Sequence, residues 1–251
     1  MRYTCAMEPQ ENTPKTKPVI SIAAAIVTGA AMIALALVIA LHPSGSTSAT
    51  GNTAAQQPST PTTIPSDIAT VRPSDTNHIR GDITTAQIVI FEYSDSDCPY
   101  CQQFHPTLQQ VVNDYKGQVA WVYRYFPLSI HPDSHNESVA LECVSEIGGA
   151  KAFNPYLDTL INITLTPNAQ TMATLGTFAQ QQGIDLTKFN TCVNDPATGA
   201  IIDNSIKEAT SIGAQGTPFS IIVNVKTGKQ IIVPGAYPLS DVESDINSLL
   251  K

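Results

Sequence analysis

The 251-residue chain is 42% hydrophobic and 14% charged, with a formal net charge of −8. That balance suits a globular protein of one large domain or two small ones. Acidic overall and without a stripe of clustered Lys and Arg, the chain is excluded as a nucleic-acid binder, because neutralising phosphates takes grouped cations.

The N-terminal third divides by charge. Residues 1–17 hold Arg2, Lys15 and Lys17 against Glu8 and Glu11, and residues 18–66 hold no Lys, Arg, Asp or Glu at all. Within that uncharged region, residues 19–41 read VISIAAAIVTGAAMIALALVIAL. As a helix this stretch is about 35 Å long, enough to cross a hydrocarbon core of about 30 Å with some tilt. It lacks the polar stripe of a buried core helix. A cleaved signal peptide has a shorter apolar region, about 7–15 residues, and a small-residue cleavage site; TSAT at 47–50 is only a faint candidate for one. The expectation is an uncleaved single-pass anchor over 19–41. Lys15 and Lys17 place residues 1–18 in the cytoplasm and everything beyond the anchor outside. Residues 42–75, rich in Ser, Thr and Pro through residue 66, read as a disordered linker. They offer little apolar surface to offset the entropy of ordering, and they give the following domain a reach of roughly 30 Å.

From residue 76 the pattern alternates. QIVIFEYS (87–94) is a β-branched and aromatic run, short enough for a buried strand. Pro99 suits a first helical position, and Phe104, Leu108, Val111, Val112 and Tyr115 recur at helical spacing up to KGQ at 116–118. VAWVYRYF (119–126) is a second strand. Helices are expected at 134–147, 150–162, 168–182, 186–194 and 197–212, broken at GG, TPN, QG and DP. FSIIVNV (219–225) and QIIVPG (230–235) form a terminal hairpin, and SDVESDINSLLK closes the chain as a helix capped by Ser240 or Asp241. The fold class is therefore α/β, in the order β-α-β, a helical insertion over about 130–213, then β-β-α. The first unit favours a parallel pair with a right-handed crossover.

The five cysteines separate by context. Cys5 precedes the anchor and faces the reducing cytoplasm as a free thiol. The other four lie where disulfides persist. Cys98 and Cys101 stand straight after a strand, at the start of a helix. The helix N-terminus carries unsatisfied N–H groups and about half a positive charge, which stabilise a thiolate at Cys98. Cys101, one turn further, is more buried and placed to resolve a mixed disulfide formed at Cys98. The pair thus reads as an exposed nucleophile and its resolving thiol. Asp95 and Asp97 oppose the effect, since nearby negative charge raises a thiol pKa. Zinc is the weaker reading: Cys98, Cys101 and His105 supply three ligands only if the helix starts later, and no second Cys/His pair follows. A purely structural crosslink is the other alternative. Cys143 and Cys192, both inside the helical block, read as a structural staple, with two free thiols or a second exchange pair as alternatives. His105, His131 and His135 show no partner in the sequence and are expected on the surface or in turns.

Taken together, these segments resemble the DsbA-like thiol–disulfide oxidoreductases of the thioredoxin superfamily over about residues 76–251. The resemblance rests on VIFEYSDSDCPYC, on WVYRYFPLSIHPDSHNESVALEC and on GTPFSIIVN at 216–224. It implies a thioredoxin fold and a cis-proline at Pro218 opposite the active site. It also implies that Thr217 pairs with an extended substrate segment, and that Glu92, six residues before Cys98, passes protons to and from Cys101. On its residues alone, Glu92 is an acid inside an apolar strand: either a buried acid–base group or a side chain at a solvent-facing edge. Pro99 and Tyr100 between the cysteines differ from the Pro-His of strong oxidants in the family. The implied function is extracytoplasmic oxidation of exported proteins by disulfide exchange, without cofactor or metal. A membrane partner of DsbB or vitamin-K-epoxide-reductase type would reoxidise a monomeric enzyme. The alternatives are a membrane-tethered reductase or isomerase of the same fold, and a redox-inactive binding module.

Overall fold

The computed structural model of the protein describes residues 64–163 and 171–251. The segment 1–18 with Cys5, the anchor assigned to 19–41 and the linker up to residue 63 lie outside the described residues. Among the described residues no helix is long and apolar enough to cross a membrane.

Five strands and six helices are described. In chain order they are β1 (Ile79–Arg80), β2 (Ile88–Ser94), α1 (Pro99–Asp114), β3 (Val119–Tyr125), α2 (Ser134–Ile163), α3 (Met172–Gln181), α4 (Leu186–Val193), α5 (Pro196–Ser211), β4 (Phe219–Asn224), β5 (Gln230–Val233) and α6 (Leu239–Leu249). The sheet order is β1-β3-β2-β4-β5. β2 runs parallel to β3, joined through α1, and antiparallel to β4, which pairs antiparallel with β5. This is the thioredoxin fold with extra helices, as the order of sequence patterns implies.

The central strands are buried on both faces, which is why IVIFEYS and VAWVYRY read as near-continuous apolar runs rather than alternating ones. One face of the sheet, through Ile88, Ile90, Trp121 and Tyr123, packs on Phe104 and Leu108 of α1, Val144 of α2 and Ile246 of α6. The other face, through Val89, Phe91 and Val122, packs on Ile64, Ala69 and Ala209. The expected break at 148–149 falls inside α2: Gly149 has φ 63° and ψ −169°, and the helix resumes beyond it. A left-handed φ of that kind is inexpensive only for glycine.

Two expectations are corrected, and one strand is new. Residues 64–75 belong to the folded body and not to the linker. Ile64 is 1% exposed, and the side chain of Gln230 brackets it: the Ile64 N–H donates to Oε1 at 2.9 Å, and Nε2 donates to the Ile64 carbonyl at 3.0 Å. Arg124 of β3, 2% exposed, donates to Asp75 at 2.8 Å and to the carbonyls of Ile68 and Thr70 at 2.5 and 3.0 Å. Strand β1 was not foreseen either; two residues are too few to show a periodicity, and it is held by antiparallel pairing to β3. The last helix starts at Leu239 with Pro238 at its N-cap position, so neither Ser240 nor Asp241 caps it; Asp241 lies in its first turn.

Candidate active site

The site sits at the end of β2, where the chain turns into α1. The N-cap residue of α1 is Cys98, followed by Pro99 at the first helical position. Pro has no N–H to waste there and its fixed φ suits the helix. Both cysteines are free thiols in this structure. Cys98 is 3% exposed and Cys101 0%, so Cys98 is not the exposed group the sequence suggests. The segment carrying Thr217 lies against it: the Cys98 Sγ is 3.5 Å from the Thr217 carbonyl oxygen. Tyr100, between the cysteines, is 63% exposed.

The two thiols are electrostatically unlike. A hydrogen bond from Cys101 does most to stabilise the Cys98 thiolate. Burial opposes it, and Thr217 and the backbone N–H groups of Cys101 and Tyr100 reinforce it, so that Cys98 is lowered to about 5. Asp95 and Asp97 do not prevent this. Cys101 is pushed well above the ordinary thiol range by burial first, then by its hydrogen bond to Cys98 and the charge of Glu92. One thiol is built to be an anion and the other to keep its proton.

Glu92 is buried, not at a solvent-facing edge. It is 1% exposed and accepts a 2.8 Å hydrogen bond from Ser94 Oγ. Burial pushes it up to about 7, against the pull of Ser94 and Trp121 and with the charge of Cys98 adding to it. Its register partners are Tyr123 on β3 and Ser220 on β4, which makes a polar row across three strands beneath the cysteines. The Thr217–Pro218 peptide bond is cis. A cleft of about 640 Å³ opens beside it, lined by Tyr100 and Gln103 of α1, by Gly216 to Phe219 and by Pro234 to Tyr237.

One of the three histidines departs from expectation. His105 is buried in α1, with Nε2 2.7 Å from Asp158 Oδ1 of α2, and it stands edge-on to Trp121. Its imidazole is thus engaged away from the cysteines. His131 lies in a turn, as expected, and pairs there with the fully buried Asp95 at 2.8 Å; His135, 3.4 Å from Asp203, is on the surface. Sequence reasoning also missed Glu137. It is buried, accepts from Ser96 Oγ at 2.5 Å, and is pushed up to about 7 by burial, with Asp97, Asp95 and Asp133 adding to it. An acid directly before SVALEC is the only signal, and it looks like any first-turn helix glutamate. Away from the site, Cys143 of α2 and Cys192 of α4 form a disulfide, S–S 2.00 Å.

Residues 74–232 match the family model described as Thioredoxin. The chain belongs to the thioredoxin family. Among solved structures, this thioredoxin-family protein is similar to Pseudomonas aeruginosa DsbA2, with 25% identity and a TM-score of 0.59, over 69% of this chain and 93% of that one. It is similar in fold to Wolbachia pipientis alpha-DsbA1, with 20% identity and a TM-score of 0.62, over 73% and 94% of the two chains. A 136-residue stretch is 31% identical to part of the Na(+)/H(+) antiporter NhaA 3 of Salinispora tropica, covering 53% of this chain and 20% of the antiporter. The NhaA 1 antiporter of Salinispora arenicola matches at 29% over the same shares. The chain thus spans about a fifth of the length of the curated relatives it matches.

Proposed function

We propose that the protein is an extracytoplasmic thiol–disulfide oxidoreductase that oxidises cysteines of exported proteins through Cys98 and Cys101. The observation that carries this is the contrast between the two thiols: Cys98 lowered to about 5 and Cys101 raised well above the ordinary range. Stabilising the Cys98 thiolate stabilises the reduced form, and a disulfide whose reduced form is stabilised is a strong oxidant. In the forward reaction a substrate thiolate attacks Cys98, and Cys101 leaves and takes up a proton. The second substrate thiolate then attacks the mixed disulfide and expels Cys98 as thiolate. Two electrons pass from the substrate dithiol to the pair. Glu92, near neutrality in its own titration, acts as the acid–base group for Cys101. Thr217 and the cleft beside Pro218 receive the substrate in extended form, while Pro99 and Tyr100 shape the turn. No cofactor takes part. The Cys143–Cys192 disulfide acts as a structural staple of the helical insertion.

The DsbA names borne by the structural neighbours support the extracytoplasmic reading. With the apolar run at 19–41 as anchor, the protein would meet reduced exported chains as a monomer. A membrane oxidase of DsbB or vitamin-K-epoxide-reductase type would renew its disulfide.

The test is the reduction potential of the Cys98–Cys101 pair in redox buffers, with alkylated peptides mapped so that Cys143 and Cys192 are scored apart. A value above about −200 mV is expected. A value below about −250 mV would make the dithiol the better donor and move the function to a reductase or isomerase. Biological function left intact by Cys98→Ser would leave only a redox-inactive binding module.

A further inference from the structure

The turn that carries Cys98 is crowded with acids. Asp95 and Asp97 lie on the turn, Asp133 on the loop before α2, and Glu137 on α2 itself, bonded to Ser96. The charged groups that act most strongly on Asp97 are Asp95, His131, Asp133 and Cys98. His131 is the cation of that set.

It is held there by a built contact. Asp95, 0% exposed, accepts from His131 Nδ1 at 2.8 Å and from the Leu128 N–H at 2.8 Å through Oδ2. Through Oδ1 it accepts from the Asp97 N–H at 2.9 Å, and its backbone carbonyl accepts from the Cys98 N–H at 3.1 Å. One buried carboxylate therefore ties the β3–α2 loop to the turn that carries Cys98. The His131 side chain, 17% exposed, still reaches water and can exchange its proton.

We infer that His131 is a positioning residue for the thiol chemistry: held by Asp95, its protonated imidazole offsets the acids around Cys98 and stabilises the thiolate released on reduction. The inference rests on Cys98 being the exchanging thiol. Two electrons enter the disulfide from the substrate dithiol; one proton goes to Cys101, the other to solvent, and Cys98 stays anionic. Tyr100 offers only a hydroxyl and a ring there. Burial pulls the imidazole pKa down, but the Asp95 hydrogen bond and charge, then Cys98 and Asp97, overcome it, and the balance is upward. The sign follows: below its raised pKa His131 is charged and the thiolate is favoured. As pH rises through that value the support is lost and the disulfide becomes the weaker oxidant.

Linkage makes the test reciprocal, because if His131 stabilises the Cys98 thiolate then the thiolate must stabilise the imidazolium equally. The reduced 251-residue chain, labelled at histidine Cε1, is titrated by NMR beside Cys98→Ser, with the His131 signal assigned by its loss in His131→Asn. His131 is expected to titrate at least half a pH unit higher in the reduced chain than in Cys98→Ser. His131→Asn, which keeps a donor for Asp95, should raise the Cys98 midpoint by a similar amount, and His131→Lys should restore it. An unmoved His131 titration, or an unmoved Cys98 midpoint in His131→Asn, overturns the inference. Exchange with a cysteine peptide is scored in parallel. No exchange in the wild type sinks the enzyme reading itself, whereas normal exchange with an unmoved His131 overturns this inference alone.

Discussion

The Sγ of Cys98 lies 3.5 Å from the carbonyl oxygen of Thr217, 119 residues later in the chain. The contact buries Cys98 against the segment that would receive substrate, so its reactivity should be set by charge stabilisation and not by exposure. Alkylation of Cys98 should therefore follow a midpoint near pH 5, with Cys101 unreactive through pH 8. The stability of the reduced protein carries the same sign. Because the folded pKa is depressed, this contribution is complete above the unfolded thiol value of about 8.5 and is lost as pH falls through about 5. Between those limits the reduced form should gain on the oxidised one by about 1.4 kcal/mol per pH unit. Paired urea titrations of the two forms at pH 4, 6 and 8 measure it; a flat difference refutes the assignment.

Glu92 carries the opposite sign. Its folded pKa is raised to about 7, so the wild type is favoured with the acid protonated and loses that stability as pH climbs from 4.5 to 7. Glu92→Gln removes the cost of burying a charge. It should match the wild type at pH 4 and exceed it by about 2–3 kcal/mol above pH 7, less what the Ser94 bond contributes. In the reoxidation half-reaction, attack by Cys101 on the mixed disulfide held at Cys98 should slow about a hundredfold, so that this mixed disulfide accumulates. A variant that is both less stable at pH 8 and unimpaired in resolution would place Glu92 in a structural role.

What the sequence shows here depends on how local the cause is. The strands β2, β3 and β4 are legible because both faces of each are buried and the apolar run is unbroken. The α1 start is legible because Pro99 and two cysteines follow a strand directly. The roles of residues 64–75 are not legible. Their composition is a linker's, and Ile64 is held by Gln230, 166 residues away, and by packing against the sheet. Arg124 is visible as a charge inside VAWVYRYF, yet its partner Asp75 lies 49 residues back, in a stretch with no pattern of its own. His131 and Asp95 are 36 residues apart and meet only once the loop after β3 folds over the active-site turn. In each case a polar side chain finds its partner through tertiary packing, which periodicity does not encode.

The Cys143–Cys192 disulfide joins α2 to α4 across 49 residues, with Cys143 fully buried. Closing a loop of that length contributes about 4 kcal/mol in a chain-entropy account. Replacing both cysteines with alanine should lower the unfolding free energy by that order. The Cys98–Cys101 potential should stay in place, since neither residue touches the active-site turn. A potential that moved with the staple would show that the helical insertion feeds back on the site, and calorimetry with redox titration on the same variant reads both.

Arg124 makes the strongest prediction about the fold. Its guanidinium is 2% exposed, bonded to Asp75, to the carbonyls of Ile68 and Thr70 and to the Tyr93 hydroxyl at 3.0 Å, and it lies 4.4 Å over the Phe91 ring. It anchors the 64–75 segment to the sheet. Burial raises the Asp75 pKa, but the hydrogen bond and charge of Arg124, then Arg72, overcome it and hold the carboxyl below its ordinary value. That stability is present above about pH 4 and is lost as pH falls through the depressed value. Arg124→Met leaves a buried carboxylate without its main counter-charge and should cost about 3–5 kcal/mol at pH 7. Adding Asp75→Asn should recover part of it, because the stranded charge goes with the partner. Urea unfolding of the two single variants and the double variant closes the cycle. If Asp75→Asn recovered nothing, the loss would lie in the carbonyl contacts to residues 68 and 70, and the segment would be held by backbone bonding more than by the ion pair.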